Sequence, residues 1–316
     1  MRRWLLLVVV VLVTAGVATG ASADKVATSP GRVLGLARSQ YSVAWLSAPA
    51  KGHCGPTAHL WIVFSGATYN LMKNPDALCQ GGRSGVTDLA VAGNRVVWLA
   101  YSGGNTRKWQ LFTATPSSAE HTIELATSNA ESNETPIVLG VGSSSVIPYS
   151  TGSTVKVLKA NGATAFTWQA PGPVTNTTAY QGQVAVFVKG GKCYVLSPTG
   201  AVIATYTFRV GAVQEFALAG VGLVVELPKG KVEIHNGSSV RTVRLAVGAK
   251  MLDYQDGFVL YRVGNQIRAL RIATGKEAFI RYGTFAALES NGMTYASGRK
   301  VGSIAWVTFT SAVNLS

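Results

Sequence analysis

The chain is poor in acidic residues, histidine, cysteine and helical patterning. Only 14 Asp and Glu stand against 28 Lys and Arg in 316 residues, a formal net charge of +14 at pH 7. Charged residues make up 13% of the chain, so the excess reflects a scarcity of acids more than basic tracts. No run of Lys and Arg exceeds two residues, which argues against nucleic acid as a partner. The balance suits a polyanionic neighbour: a cell-wall polymer, an anionic lipid surface or an acidic glycan. The four histidines are His53, His59, His121 and His235. No His-Glu-x-x-His, Gly-x-Ser-x-Gly, P-loop or calcium-loop pattern occurs, so no catalytic motif, metal or cofactor is implied. Beyond the N-terminus no apolar run reaches the roughly 18 residues that span a bilayer. Val221–Leu227 is interrupted by Glu226 and is strand-sized.

The N-terminus reads as an export signal. Arg2 and Arg3 form a basic start, Trp4–Val13 is a short apolar stretch, and Ala21-Ser22-Ala23 is a small-residue cleavage site. Cleavage after Ala23 leaves a single domain, 24–316, in a secreted or cell-envelope location. The three cysteines agree with export. Cys54 and Cys79 are the natural disulfide pair. Closing that loop stabilises by about 3–4 kcal/mol on the chain-entropy estimate. Cys193 sits in an apolar strand and is expected to be a buried free thiol. No histidine lies near it, and Cys54 has only His53 beside it, so a metal site is not expected.

What the chain does have is a repeat. In Gln181–Gly200 (QGQVAVFVKGGKCYVLSPTG) a turn glycine opens an apolar strand, a Lys-Gly-Gly-Lys hairpin follows, and a second strand ends in a Ser-Pro-Thr-Gly turn. Variants of this phrase form seven units, starting near Arg32, Val86, Ile137, Thr175, Val213, Lys250 and Thr284. Each complete unit contains four short strands, and the mean spacing of about 42 residues is that of a propeller blade. The expected fold is all-β: a seven-bladed β-propeller of four-stranded antiparallel blades. The last unit shows only three strands (TFAALES, GMTYASG, SIAWVTFT) before the chain ends. Lys25–Ser29 is expected to supply the fourth and close the ring, pairing near residues 303–310. Aromatics recur late in the second strand of most units: Trp45, Trp98, Tyr149, Phe187, Tyr261 and Tyr295, with Val225 in the fifth. Their expected role is to fill the interfaces between blades.

Three acids form the sharpest positional pattern. Asp88 and Glu215 lie five residues before a turn glycine, Gly93 and Gly220, and Asp253 lies four before Gly257. All three fall in first strands, which line the channel of a propeller. They could hold a cation or act as a carboxylate pair on a glycoside. The plainer expectation is solvation or pairing with Arg281 or Lys250. Two irregular segments stand out: the Gly/Pro-rich insertion Ser47–Thr57 and the polar connector Ala126–Pro136. Loops of this kind carry function more often than strands do.

Gln266–Glu277 (QIRALRIATGKE), and less closely Val195–Ala201 (VLSPTGA), match a strand–turn phrase of repeat propellers. On these turns the chain resembles the secreted bacterial propellers of the TolB-like, YVTN and quinoprotein type. The resemblance implies architecture only. No Trp follows the Thr274-Gly275-Lys276 turn as in quinone-cofactor propellers, and Trp-Asp pairs and Ser-x-Asp-x-Gly boxes are absent. The expected function is a monomeric, non-catalytic binding or scaffold module for a protein, an anionic wall polymer or a glycan. The alternative is a glycoside hydrolase or lyase with its site at the channel mouth.

Overall fold

A computed structural model describes residues 24–49, 51, 55–72, 83–129, 135–220 and 222–314. Among these, the strands form seven four-stranded antiparallel sheets arranged as the blades of a propeller. Blades 1 to 6 each use four consecutive strands and begin with Val33–Arg38, Arg83–Ala92, Ile137–Leu139, Val174–Tyr180, Glu215–Ala219 and Ala249–Gln255. Blade 7 combines Phe285–Glu289, Gly292–Ser297 and Lys300–Ala305 with Asp24–Thr28 as its outer strand.

The first strand of every blade is the innermost, and successive strands alternate in direction. The two ends of the ring therefore carry different connections. On one face, called upper here, the first strand turns into the second. These turns touch across blades: Gly93 N–H donates to the Ser144 carbonyl (3.0 Å), and the Asn291 amide donates to the Gln40 carbonyl (2.6 Å). On the opposite, lower face the chain passes from blade to blade. There Val33 N–H donates to the Gly298 carbonyl (2.8 Å) and Ser29 N–H to that of Arg299 (2.7 Å).

One blade cannot bury both faces of its sheet, so the core lies between blades. The recurring aromatics occupy it. Trp45 packs with Val33 of its own blade and with Ala296 and Val301 of blade 7. Trp98 of blade 2 lies among Leu46, Leu60 and Leu71 of blade 1. Phe187 of blade 4 packs with Leu218, Leu223 and Val225 of blade 5. Trp45, Trp98 and Tyr261 are at most 1% exposed. Cys193 is a free thiol buried in the blade 4–5 cluster. Burial pushes its pKa far up, so it is inert rather than nucleophilic.

Several expectations need correction. The N-terminal strand pairs with residues 300–303 (Asp24 opposite Ser303, Thr28 opposite Lys300), so it meets the expected 303–310 segment only at its first residue. The segment read as the strand SIAWVTFT divides: Lys300–Ala305 is strand, and Trp306–Asn314 is a helix, α1. Its apolar residues Trp306, Phe309 and Val313 fall at helical spacing. Phe309 and Val313 are fully buried, and Phe258 meets Trp306 and Phe309 edge-on, with ring centroids 5.7 and 5.4 Å away. Arg271 and Lys276 bond the side chain and carbonyl of Asn314 at 2.7 and 2.8 Å, placing cations at the negative end of the helix dipole. The polar connector begins later than expected, because Ala126–Asn129 completes a 12-residue outer strand in blade 2. The expected Cys54–Cys79 bond, the export signal, and Ala50 and Gly52–Cys54 of the insertion lie outside the described residues.

Two outcomes follow. Phe309→Ala should cost about 3–5 kcal/mol in urea unfolding, the range for emptying a packed aromatic site; a loss below about 1 kcal/mol would show that α1 is dispensable. Cys193 should react with a thiol reagent only as fast as the protein unfolds globally.

Candidate functional site

The inner strands of all seven blades, or the turns that follow them, line a central channel with about 140 Å³ of space open to water. Ligand pockets commonly need about 300–1,000 Å³. The channel therefore has room for ordered water or a small ion. Its walls are mostly Leu, Val and Ala, with Arg38, Asp253 and Glu289 as the charged exceptions.

The three acids singled out in the sequence occupy three different settings. Four inner strands carry a β-bulge, after Val33, Val86, Val174 and Met251. Such a bulge re-aims the side chains that follow it. Asp88 and Asp253 each come directly after one. Glu215 instead opens the inner strand of blade 5, which has no bulge, and pairs across to Glu226.

Asp253 reaches the channel. One of its oxygens accepts from the N–H of Tyr254 (2.8 Å), and the other from the N–H of Leu288 on the neighbouring inner strand (2.7 Å). Burial pushes its pKa up to about 7; the two amide bonds pull the other way, and Glu289 adds to the rise. Asp253 lines the channel and is half-buried. Asp88 does not line the channel. Desolvation raises its pKa and a hydrogen bond with the Thr87 hydroxyl lowers it. Glu215 forms an ion pair with Lys250 at 2.7 Å, on partly exposed side chains. A pair this wet contributes at most about 1 kcal/mol. Lys250 was one of the two expected partners. Arg281, the other, stacks over the Tyr295 ring at 5.4 Å. Among the described residues no group of three His, Cys, Asp or Glu side chains could hold a metal ion.

The upper mouth contains a charged network that sequence reasoning missed. Arg38 ends the inner strand of blade 1 and is 6% exposed. Its guanidinium donates to the hydroxyls of Thr294 and Ser303 and to the Asn291 side chain, all in blade 7. Burial lowers its pKa to about 10, against the opposing pull of Glu289. Glu289 ends the inner strand of blade 7 and accepts from the Ser144 hydroxyl of blade 3 at 3.1 Å. Burial raises the Glu289 pKa as well. Ser144 also receives the N–H of Gln40 at 3.2 Å. Turns from blades 1, 3 and 7 are thus tied over the channel end. Position offered a signal: Arg38 and Glu289 are the last charged residues before the first turn of their blades.

His59 forms the remaining polar cluster. Its Nε2 lies 3.0 Å from the Ser47 hydroxyl and 2.8 Å from that of Thr57, and its ring stacks on Trp45 at 5.1 Å. Ser47 is fully buried and His59 is 7% exposed, so no substrate reaches this pair. Burial lowers the His59 pKa to about 4, which keeps the ring neutral.

No family model matches the chain, and no curated protein matches it in sequence. Solved structures match its shape. The computationally designed Ika8 protein superposes with a TM-score of 0.56 at 16% identity, covering 90% of this chain and all of that one. A chain of the mitotic checkpoint complex gives 0.56 at 12%, covering 96% and 99%. PorZ, an essential surface component of the type-IX secretion system of Porphyromonas gingivalis, gives 0.55 at 12%; the match covers 89% of this chain but only 37% of PorZ. At such identities the likeness establishes the propeller fold alone. The narrower resemblance to TolB-like, YVTN and quinoprotein propellers has no family-level support.

The two shifted groups predict opposite responses to pH. His59 binds its proton less readily folded (about 4) than unfolded (6.5), so its contribution to stability is present above pH 6.5 and lost as pH falls toward 4. Asp253 binds its proton more readily folded (about 7) than unfolded (3.8), so its contribution is present below pH 4 and lost as pH rises through 7. Relative to the parent, His59→Gln should gain urea stability between pH 7 and pH 5, and Asp253→Asn should lose it. Parallel curves for all three proteins would refute both assignments.

Proposed function

We propose that this chain is an exported, non-catalytic propeller that binds an extracytoplasmic partner: a protein, an anionic wall polymer or a glycan. The observation that carries this reading is the state of the acids on the inner strands. Asp253 is bonded to two backbone amides, Glu289 to a serine hydroxyl and a backbone amide, and Glu215 to a lysine. Asp253 and Glu289 hold blades together in a channel of only about 140 Å³, and Glu215 joins blades 5 and 6 outside it. The excess positive charge lies on the outside, where a partner can meet it. No described helix is long and apolar enough to cross a membrane.

A second reading, a carbohydrate-active enzyme, draws on one observation. Asp253 titrates near neutrality with Glu289 on the adjacent inner strand, and carboxyl groups with raised pKa serve as general acids in glycoside cleavage.

Purified mature protein should bind envelope polymer fractions with an affinity that falls steeply with added salt, and should release no reducing ends from polysaccharide panels. Sugar release abolished by Asp253→Asn or Glu289→Gln would replace the binding reading with the enzymatic one. Absence of binding at low salt to every envelope fraction would leave the binding reading without support.

A further inference from the structure

The lower face is strongly basic over blades 4 and 5 and the start of blade 6. Lys189, Lys192, Arg209, Lys229, Arg244 and Lys250 are all exposed there, at strand ends or in turns on that face. The stretch 183–250 holds only three acids, and each is already engaged. Glu215 pairs with Lys250, and Glu233 with Lys231 and His235. Glu226 is buried and accepts from the Met251 N–H. The exposed Asp256 and the half-buried Glu289 belong to the opposite face.

Two neighbouring connections on this basic face share one design. Arg209-Val210-Gly211-Ala212 and Ala246-Val247-Gly248-Ala249 are both tight turns, each closed by a 3.0 Å bond from the last N–H to the first carbonyl. In each, the glycine takes a left-handed conformation, φ 72° and 74°, as the third position of such turns requires. The valine before it stands at the tip, 70% exposed for Val210 and 99% for Val247. Turn chemistry favours Pro, Asn, Asp or Ser in such places and gives no reason for valine.

Charge and apolar tips together select the partner. A soluble polyanion would neutralise the cations but leave both valines in water. A bilayer with acidic headgroups satisfies both, because phosphates meet the cations and the headgroup–acyl boundary accepts aliphatic tips. We propose that the lower face of blades 4 to 6 docks on an anionic phospholipid surface, with Val210 and Val247 entering the headgroup boundary. This rests on the binding-module reading and adds a lipid surface to the partners it allows. The contact is peripheral and reversible. The acids at the upper mouth then point away from the membrane.

The test is co-sedimentation of the mature protein with vesicles of phosphatidylcholine alone or mixed with phosphatidylglycerol, and with soluble polyphosphate in a parallel arm. Binding is expected to need phosphatidylglycerol and to weaken with salt. Lys192→Gln and Arg244→Gln should each lower partitioning about fivefold. Val210→Ser with Val247→Ser should lower it at least as much while leaving the salt dependence unchanged. Both tips are exposed, so thermal unfolding should not shift, which separates a docking defect from a folding one. Vesicle binding indifferent to the valine changes overturns the proposal. Equal capture by polyphosphate with no vesicle preference also overturns it, but leaves the binding-module reading standing. Failure of both arms overturns the proposal and restricts the binding-module reading to a protein or glycan partner.

Discussion

Each inner strand pairs with the second strand of its own blade, and the amides on its other edge have no ladder to the next blade. Among the described residues one isolated bridge, Val141 to Thr178, joins inner segments of adjacent blades directly. The rest depends on two substitutes. Flat apolar packing between blades supplies most of the cohesion. Carboxylates supply acceptors where an amide would otherwise stay unsatisfied. Asp253 takes the Leu288 amide across blades 6 and 7, and Glu226 takes the Met251 amide across blades 5 and 6. Desolvation raises the pKa of both, the sign of a charge held where it is poorly solvated.

That arrangement explains how a chain with so few acids places several of them inside. Acids in the channel wall would suggest chemistry if they converged on open space. Here they converge on backbone. His59 repeats the lesson: a histidine between two hydroxyls has the composition of a nucleophilic site, but its burial and its stacking on Trp45 make it a packed polar unit.

The architecture was legible because its signal is periodic. Alternation within strands, glycine at turns and an aromatic late in each second strand recur in nearly every blade, and burial enforces each of them. The helix α1 escaped because Val307, Thr308 and Thr310 carry strand preference, while the stripe Trp306, Phe309, Val313 is too short to announce a helix. The site was legible only in part. Spacing identified acids on first strands, but spacing is blind to bulges: one added residue separates Asp88 and Asp253 from Glu215. The partners of Arg38 and Glu289 lie 253 and 145 residues away in sequence at Asn291 and Ser144. Nothing local to either residue points to them.

The mixed parentage of blade 7 sets the order of assembly. Its outer strand, Asp24–Thr28, is among the first described segments to be synthesised and pairs with Lys300–Ala305, among the last. During synthesis the opening strand must wait through six blades for its partner. Until then Asp24–Thr28 has no strand to pair with and leaves unpaired backbone groups, the kind that recruit foreign strands. The latest contact to form is thus also the one of longest chain separation, and the interval before it is when the growing protein most needs shielding from its own copies.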